Sequence, residues 1–401
     1  MTFMFNRFLK TAILASLLGP FGAWAQVPCG TTKLICLIPT ALHTTSSTFN
    51  FFNEAFGTQI GQLPLATPAS GFIFTFDKGA GVYTAAQESF GPLEAERAET
   101  IGRHRVYVAF TYQRFNFHEI DGDNLKNLPI LFYFPSETDP AVVTATQNRL
   151  DTHVDQYVAF GTFGLTDRID VALAVPIEKV TMSLFAKGTE YDTKSPAKAS
   201  FSEYFPGSAS GVGDVVVSAK ATVFKHERLG AAVGMEMRFP TGDEQNFLGS
   251  GAFGIKPYVV FSRRGRVAPH LDLGYQWNDN SALAKDQKGE HNLPAYFSYA
   301  LGADIGVTKR VTVVADFLGQ YFFDAPQVTT PQNVTAPVNG LQTPFSTILP
   351  ATGSYSVYNL GLGVKANPWK KVLVSANALI KLNDEGFRTT VVPLVGLSYS
   401  F

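Results

Sequence analysis

The chain closes on Val395-Gly396-Leu397-Ser398-Tyr399-Ser400-Phe401. Odd positions are apolar and even ones are Gly or Ser, a period of two that places alternate side chains on opposite faces of a strand. The alternation runs to the last residue, where chain ends ordinarily fray. A soluble strand with one wet face has the same period, so the rest of the chain has to distinguish the two.

Upstream the same period recurs over 103–117, 150–163, 169–182, 213–225, 229–239, 254–263, 267–277, 295–307, 311–321, 354–366 and 371–382. Short connections, such as Thr166-Asp167-Arg168, His226-Glu227-Arg228, Arg263-Arg264-Gly265-Arg266, Thr308-Lys309-Arg310 and Asn367-Pro368-Trp369-Lys370, alternate with long ones over 118–149, 183–212, 240–253, 278–294 and 322–353. That asymmetry is the rule for outer-membrane barrels, with short periplasmic turns and long extracellular loops. A further hairpin is expected over Gly71–Phe76 and Gly81–Ala85. Omitting it gives twelve strands; counting it gives fourteen, the preferred number.

The amino-terminal end agrees. Arg7 and Lys10 precede an apolar core from Thr11 to Phe21, then Ala23-Trp24-Ala25, the pattern of a secretory signal peptide over 1–25. The apolar core is too short to span a bilayer as a helix, which takes ~20 residues. The terminal strand, with Tyr399 and Phe401, resembles the targeting signal that the barrel-assembly machinery reads in bacterial outer-membrane proteins.

Charged residues make up 16% of the chain, below the roughly 25% of ordinary domains. Aromatics reach 13%, with 34 Phe and 15 Tyr, yet the mean hydropathy is only +0.06. An apolar exterior and a polar lumen average to such a value. The formal charge is −1; loss of Arg7 and Lys10 takes it to about −3, and no basic patch appears, so nucleic acid is not an expected partner. The expectation is an all-β chain: a transmembrane antiparallel up-and-down barrel over 69–401, in the bacterial outer membrane, monomeric and in contact with lipid.

Residues 26–68 lack alternation and read as a periplasmic or plug segment. Ser46 or Ser47 is a candidate cap for a short helix with Phe49, Phe52 and Phe56 on one face. Cys29 and Cys36 are a candidate disulfide in an oxidising compartment. Asn124–Phe134 is apolar for an extracellular loop and suits either a solute landing site or packing across the mouth; the Pro- and Thr-rich stretch 325–350 reads as an irregular loop. Tyr275, Trp277, Tyr321, Phe322, Trp369 and Tyr399 suit the interfacial aromatic girdles.

The polar faces of the strands assign Arg105, Asp170, Glu178, Asp214, Lys220, Glu236, Arg238, Asp272, Asp304, Asp316 and Lys381 to the lumen. Confined charges should cross-pair, because lone ones are costly to desolvate. Pro176 lies mid-strand without a ladder donor and marks an edge, a bulge or a gap in the wall through which a hydrophobic solute leaves sideways. No histidine joins an H-x-x-x-H pair or a Cys/His cluster, so no metal or cofactor is indicated. His118 beside Glu119 and His291 beside Glu290 are rim positions at which a hydrolase would place its pair, but no nucleophile motif accompanies them. The chain reads as a non-enzyme.

Gly211-Val212-Gly213-Asp214-Val215, a hairpin, Phe239-Pro240-Thr241-Gly242-Asp243, then Leu248-Gly249-Ser250-Gly251 resemble the MetA-pathway of phenol degradation family of outer-membrane transporters. More distantly the architecture is similar to long-chain fatty acid channels, which use an amino-terminal plug and a lateral opening. The resemblance implies passive passage of small hydrophobic or aromatic compounds. A structural or adhesive barrel with a packed lumen is the alternative, and a rim-sited hydrolase the third. Pro240, Thr241, Gly242 and Asp243 also have a plain turn reading: Pro240 ends a strand, Gly242 permits a tight turn and Asp243 bonds local backbone donors.

Overall fold

The computed structural model describes residues 32–41, 50–60, 63–65, 74–77, 82–85, 88–92, 94–134, 142–286, 289–369 and 371–401. Residues 1–25 and Cys29 lie outside them. Twelve strands form the wall: β1 (Val106–Ile120), β2 (Val142–Gly164), β3 (Ile169–Asp192), β4 (Val215–His226), β5 (Leu229–Phe239), β6 (Gly254–Arg263), β7 (Val267–Asn278), β8 (Tyr296–Thr308), β9 (Val311–Val328), β10 (Pro350–Trp369), β11 (Val372–Lys381) and β12 (Val391–Ser400). Each pairs antiparallel with the next, and β12 returns to β1 from Leu394↔Gln113 to Ser400↔Tyr107. Closure leaves the wall no sheet edge, which is the condition for crossing a bilayer with strands.

Period-two patterning fixes which face each side chain takes. On β8, Leu301 and Ile305 point outward and are exposed, while Asp304 between them is fully buried. On β3, Ile169, Val171, Leu173 and Ile177 face out and Asp170, Ala174 and Glu178 face in. The result is an apolar exterior around a polar interior, and no described helix is long and apolar enough to cross a membrane. This is an outer-membrane β-barrel.

The hairpin expected over 71–85 forms from Phe74–Asp77 and Val82–Ala85, but these two strands pair with each other as a separate sheet. Both sides of β1 are already taken, by β12 and by β2. The wall therefore has twelve strands, not fourteen, and opens at Val106.

Several long connections are strand rather than loop. β2 and β3 run for 23 and 24 residues, about twice what a tilted span requires, and project together beyond the barrel on the long-loop side. Lys198–Val212 continues that projection against β3, and Leu128–Phe134 against β2. The apolar stretch 124–134 thus packs, with Leu125, Leu128 and Phe132 buried. The stretch 325–350 is also not irregular. Gln332–Val338 and Leu341–Thr347 form a ribbon around Asn339 (φ 48°) and Gly340 (φ 76°). Asn-Gly with both φ positive is a tight hairpin turn, and an isolated two-stranded ribbon tolerates Pro337 and Pro344 on its edges.

Candidate transport lumen

The long-loop end of the lumen is filled by the amino-terminal segment, including the short helix α1 (Leu37–Ala41) and α2 (Asn50–Ile60). Phe52 and Phe56, the expected aromatic face, are buried; Phe49 and the candidate caps lie outside the described residues. Phe56 meets Phe387 at 4.1 Å with its ring tilted by 48°, and Phe387 stacks on Phe117 of β1 at 4.0 Å. Gly57 lets the helix come close to Leu283, whose side chain would have to shift to admit a Cβ there. Polar ties hold the same segment. Gln59 donates to the Tyr355 hydroxyl at 2.8 Å and accepts the Phe387 amide at 2.8 Å. Glu54 meets His291 at 3.1 Å, and Lys33 pairs with Asp243 at 2.5 Å. Cys36 is fully buried nearby.

The short-turn end is crossed by residues 88–92 and 94–102, which are irregular and bind the inward groups of seven wall strands. Ile101 N–H donates to Asp170 at 2.8 Å, Ala98 N–H to Ser262 at 3.0 Å and Phe90 N–H to Thr312 at 3.0 Å. Lys220 reaches Glu96 at 2.6 Å and the Arg97 carbonyl at 2.9 Å. Lys365 donates to the Pro92 carbonyl at 2.6 Å, and the Glu96 amide donates to Asp272. Arg97 pairs with Asp304, and beside it His270 lies 2.9 Å from Asp316. Most of these charges are buried and Glu96 and Asp272 partly so, and the pairing the confined setting demands is met largely by the amino-terminal segment rather than across the wall.

Between the two closures lies a cavity of about 290 Å³. Asp170, Glu178, Asp214, Lys220, Glu236, Arg238 and Asp272, all expected in the lumen, line it together with Leu63, Leu65, Phe160, Leu318 and Tyr258. Lys256 pairs with Glu236 at 2.6 Å. A smaller cavity of about 70 Å³, walled by Phe115, Phe117, Phe322 and Phe387, adjoins it and shares Leu63, Pro64, Gln320, Val357, Asn359 and Leu379. Asp304 and Asp316 sit below, in the closure at the short-turn end. Arg105 precedes β1 at that end, and Lys381 stands at the opposite mouth with Glu119 and Asp384.

The Gly-Asp, Pro-Thr-Gly-Asp and Gly-Ser-Gly stretches meet in one knot around Asp214. Its carboxylate accepts the Gly242 amide at 3.1 Å, the Ser250 amide at 2.7 Å and the Ser250 hydroxyl at 2.5 Å. Thr241 bridges the seam, donating to the Gly213 carbonyl at 2.7 Å and accepting the Val215 amide at 3.0 Å. Pro240 does follow the end of β5. The side chain that gathers the backbone donors is Asp214, not Asp243, whose carboxylate takes the Asn246 amide group at 2.8 Å and Lys33.

Pro176 pairs with Val158 on β2 without interruption. Toward β4 the ladder stops at Ala174↔Val216 and resumes at Ile177↔Val212, one residue out of step. His118 is exposed, and His291 bonds Glu54 rather than Glu290. Of the expected girdle residues Phe322 is buried, because even positions of β9 face inward; the other five are exposed. The residues that sequence reading missed are Glu94, Glu96 and Arg97, which carry no periodicity, and Lys256, His270 and Lys365, whose places on the inward faces of β6, β7 and β10 did carry the signal.

No curated protein matches this chain. Among solved structures, an outer membrane channel from Pseudomonas putida F1 shares 11% identity over 77% of this chain and 100% of its own, with a TM-score of 0.45. The monoaromatic hydrocarbon channel CymD shares 8% over 75% and 89%, with a TM-score of 0.37. The P. putida toluene transporter TodX shares 8% over 74% and 90%, with a TM-score of 0.32. At these scores the likeness is remote and says nothing of what this chain carries. The sequence is decisive where shape is not: the profile of the family described as "Putative MetA-pathway of phenol degradation" matches residues 136–391, and this chain belongs to that family.

Proposed function

We propose that the chain is a passive, non-enzymatic outer-membrane channel for small hydrophobic or aromatic compounds. The observation that carries this reading is the phenylalanine-walled cavity that shares its lining with the larger one. An apolar pocket with a few placed polar groups is the usual form of a small-molecule site. The family description, which names phenol degradation, agrees with an aromatic solute. Both ends of the lumen are filled by residues that precede β1, so a solute moves when that segment shifts, or leaves sideways where β3 and β4 fall out of register at Pro176. On this reading Tyr399 and Phe401, whose rings meet at 4.8 Å, address the chain to the barrel-assembly machinery, and the barrel works as a monomer.

The test is single-channel recording of the refolded protein in a planar bilayer, with calorimetric titration of aromatic and fatty-acid solutes. Silence with saturable solute binding is the expected result. Steady conductance in salt alone would show an open aqueous pore instead, and silence without binding would favour a structural barrel.

A further inference from the structure

Seven carboxyl side chains and three basic ones line the larger cavity. The three bases have partners: Lys220 with Glu96 at 2.6 Å, Lys256 with Glu236 at 2.6 Å and Arg238 with Asp214 at 3.8 Å. Glu94, Asp170, Glu178 and Asp272 are left with no ion pair among the described residues. Glu178 accepts the Gln156 amide group at 2.8 Å. Three oxygens have no hydrogen-bond donor at all: Asp170 Oδ1, Asp272 Oδ1 and Glu94 Oε1. Asp170 itself is 4% exposed. Its other oxygen, and that of Asp272, accept the Ile101 and Glu96 amides of the segment across the short-turn end, which places both side chains on the floor of the cavity.

Buried polar atoms are normally satisfied, and a carboxyl group away from water is costly until something donates to it. Among the described residues no side chain supplies those donors. A cationic donor from outside the protein would, and its attraction in a confined, weakly screened space is larger than in water. An anion of the same size would meet repulsion from the same groups.

We infer that the cavity floor is a binding site for a small organic cation, a protonated amine on an apolar or aromatic body, held at Asp170 and Asp272. The body lies against the apolar lining of Leu65, Phe160 and Leu318. The inference rests on the transport reading above and narrows its solute class: cation first, neutral donor second, carboxylate last.

Benzylamine, benzyl alcohol and benzoate share one ring and differ in charge near neutral pH. Their binding to the full-length refolded protein is measured by calorimetry in detergent. Benzylamine is expected to bind at least about tenfold more tightly than benzoate, a difference of about 1.4 kcal/mol, with benzyl alcohol between. The double substitution Asp170→Asn with Asp272→Asn keeps an acceptor for the Ile101 and Glu96 amides and removes the charge. It is expected to erase the tenfold preference, bringing benzylamine and benzoate within about twofold of each other. If that variant does not fold, the wild-type ratio decides alone. Equal binding of all three, or tighter binding of benzoate, overturns the cation site and leaves the channel standing. Binding of none removes the channel reading, and the cation site with it.

Discussion

The Gly213 amide donates to the Pro176 carbonyl at 2.9 Å, across the place where β3 and β4 lose their ladder. Proline supplies no donor of its own, so one bond from a glycine bridges the seam. A Cβ at Gly213 would lie 3.1 Å from Glu178 Cδ, Leu248 O and Pro176 Cγ at once. Gly213→Val is therefore expected to overpack the seam and cost about 1–3 kcal/mol, read as a lower urea midpoint in detergent. An unchanged midpoint would show that the seam has room to give.

Asp214 holds the three motif stretches together through the amides of Gly242 and Ser250 and the Ser250 hydroxyl. Asp214→Ala leaves those donors buried without an acceptor. A loss of about 2–4 kcal/mol is expected, since each stranded buried donor costs about 1–3. Ser250→Ala keeps both amide bonds and is expected to cost only about 1 kcal/mol. Equal losses for the two variants would contradict the central place given to Asp214.

Leu301 on β8 and Leu341 on the outer ribbon are both exposed, at 57% and 70%. Only the first faces lipid. Leu301→Arg is expected to cost about 2–4 kcal/mol in a bilayer, and Leu341→Arg under about 0.5 kcal/mol, as for other surface positions. Refolding titrations into lipid vesicles separate the two. Similar small costs would argue against a membrane-facing wall.

Arg97 and Asp304 pair in the closure at the short-turn end. Arg97→Ala leaves the Asp304 carboxylate buried beside His270 without its guanidinium, a costly state that loosens residues 88–102. The expected readout is a channel that conducts in salt where the wild type is silent, or opens several-fold more often. A silent Arg97→Ala barrel of native gel mobility would show that this pair does not hold the closure.

Burial, and then the charge of Asp316, push the Glu94 carboxyl up from 4.5 to about 8, against the pull of a bond to Asn377. Between those values the native form keeps a proton that the unfolded chain has released. Stability is thus greatest below about pH 4.5 and falls as pH rises toward 8, by at most about 1.4 kcal/mol per unit. Glu94→Gln holds the neutral form permanently and is expected to flatten that part of the profile. Unfolding midpoints near pH 5 and near pH 9 for both proteins decide it; parallel profiles would acquit Glu94.

Strand positions were legible because a membrane barrel writes its two faces into a local period. β5 and β6 begin and end where alternation places them, at 229–239 and 254–263, and Asp170, Glu178, Lys220 and Asp272 reach the lumen for the same reason. The long connections misled. Prolines and threonines over 325–350 suggested disorder of pattern, although Asn339-Gly340 carried a hairpin turn.

What the sequence by itself determined was thus the wall: its closure into an apolar-out, polar-in barrel, and its family. Only the tertiary structure decided that the wall has twelve strands, that Asp214 rather than Asp243 gathers the motif, and that residues before β1 close both ends. The physical reason is range. Alternation is set by neighbours two residues apart, whereas Arg97 meets Asp304 across 207 positions of chain. A segment without periodicity takes its place from whichever buried groups need its donors, and those become visible only once the barrel has brought them to one lumen.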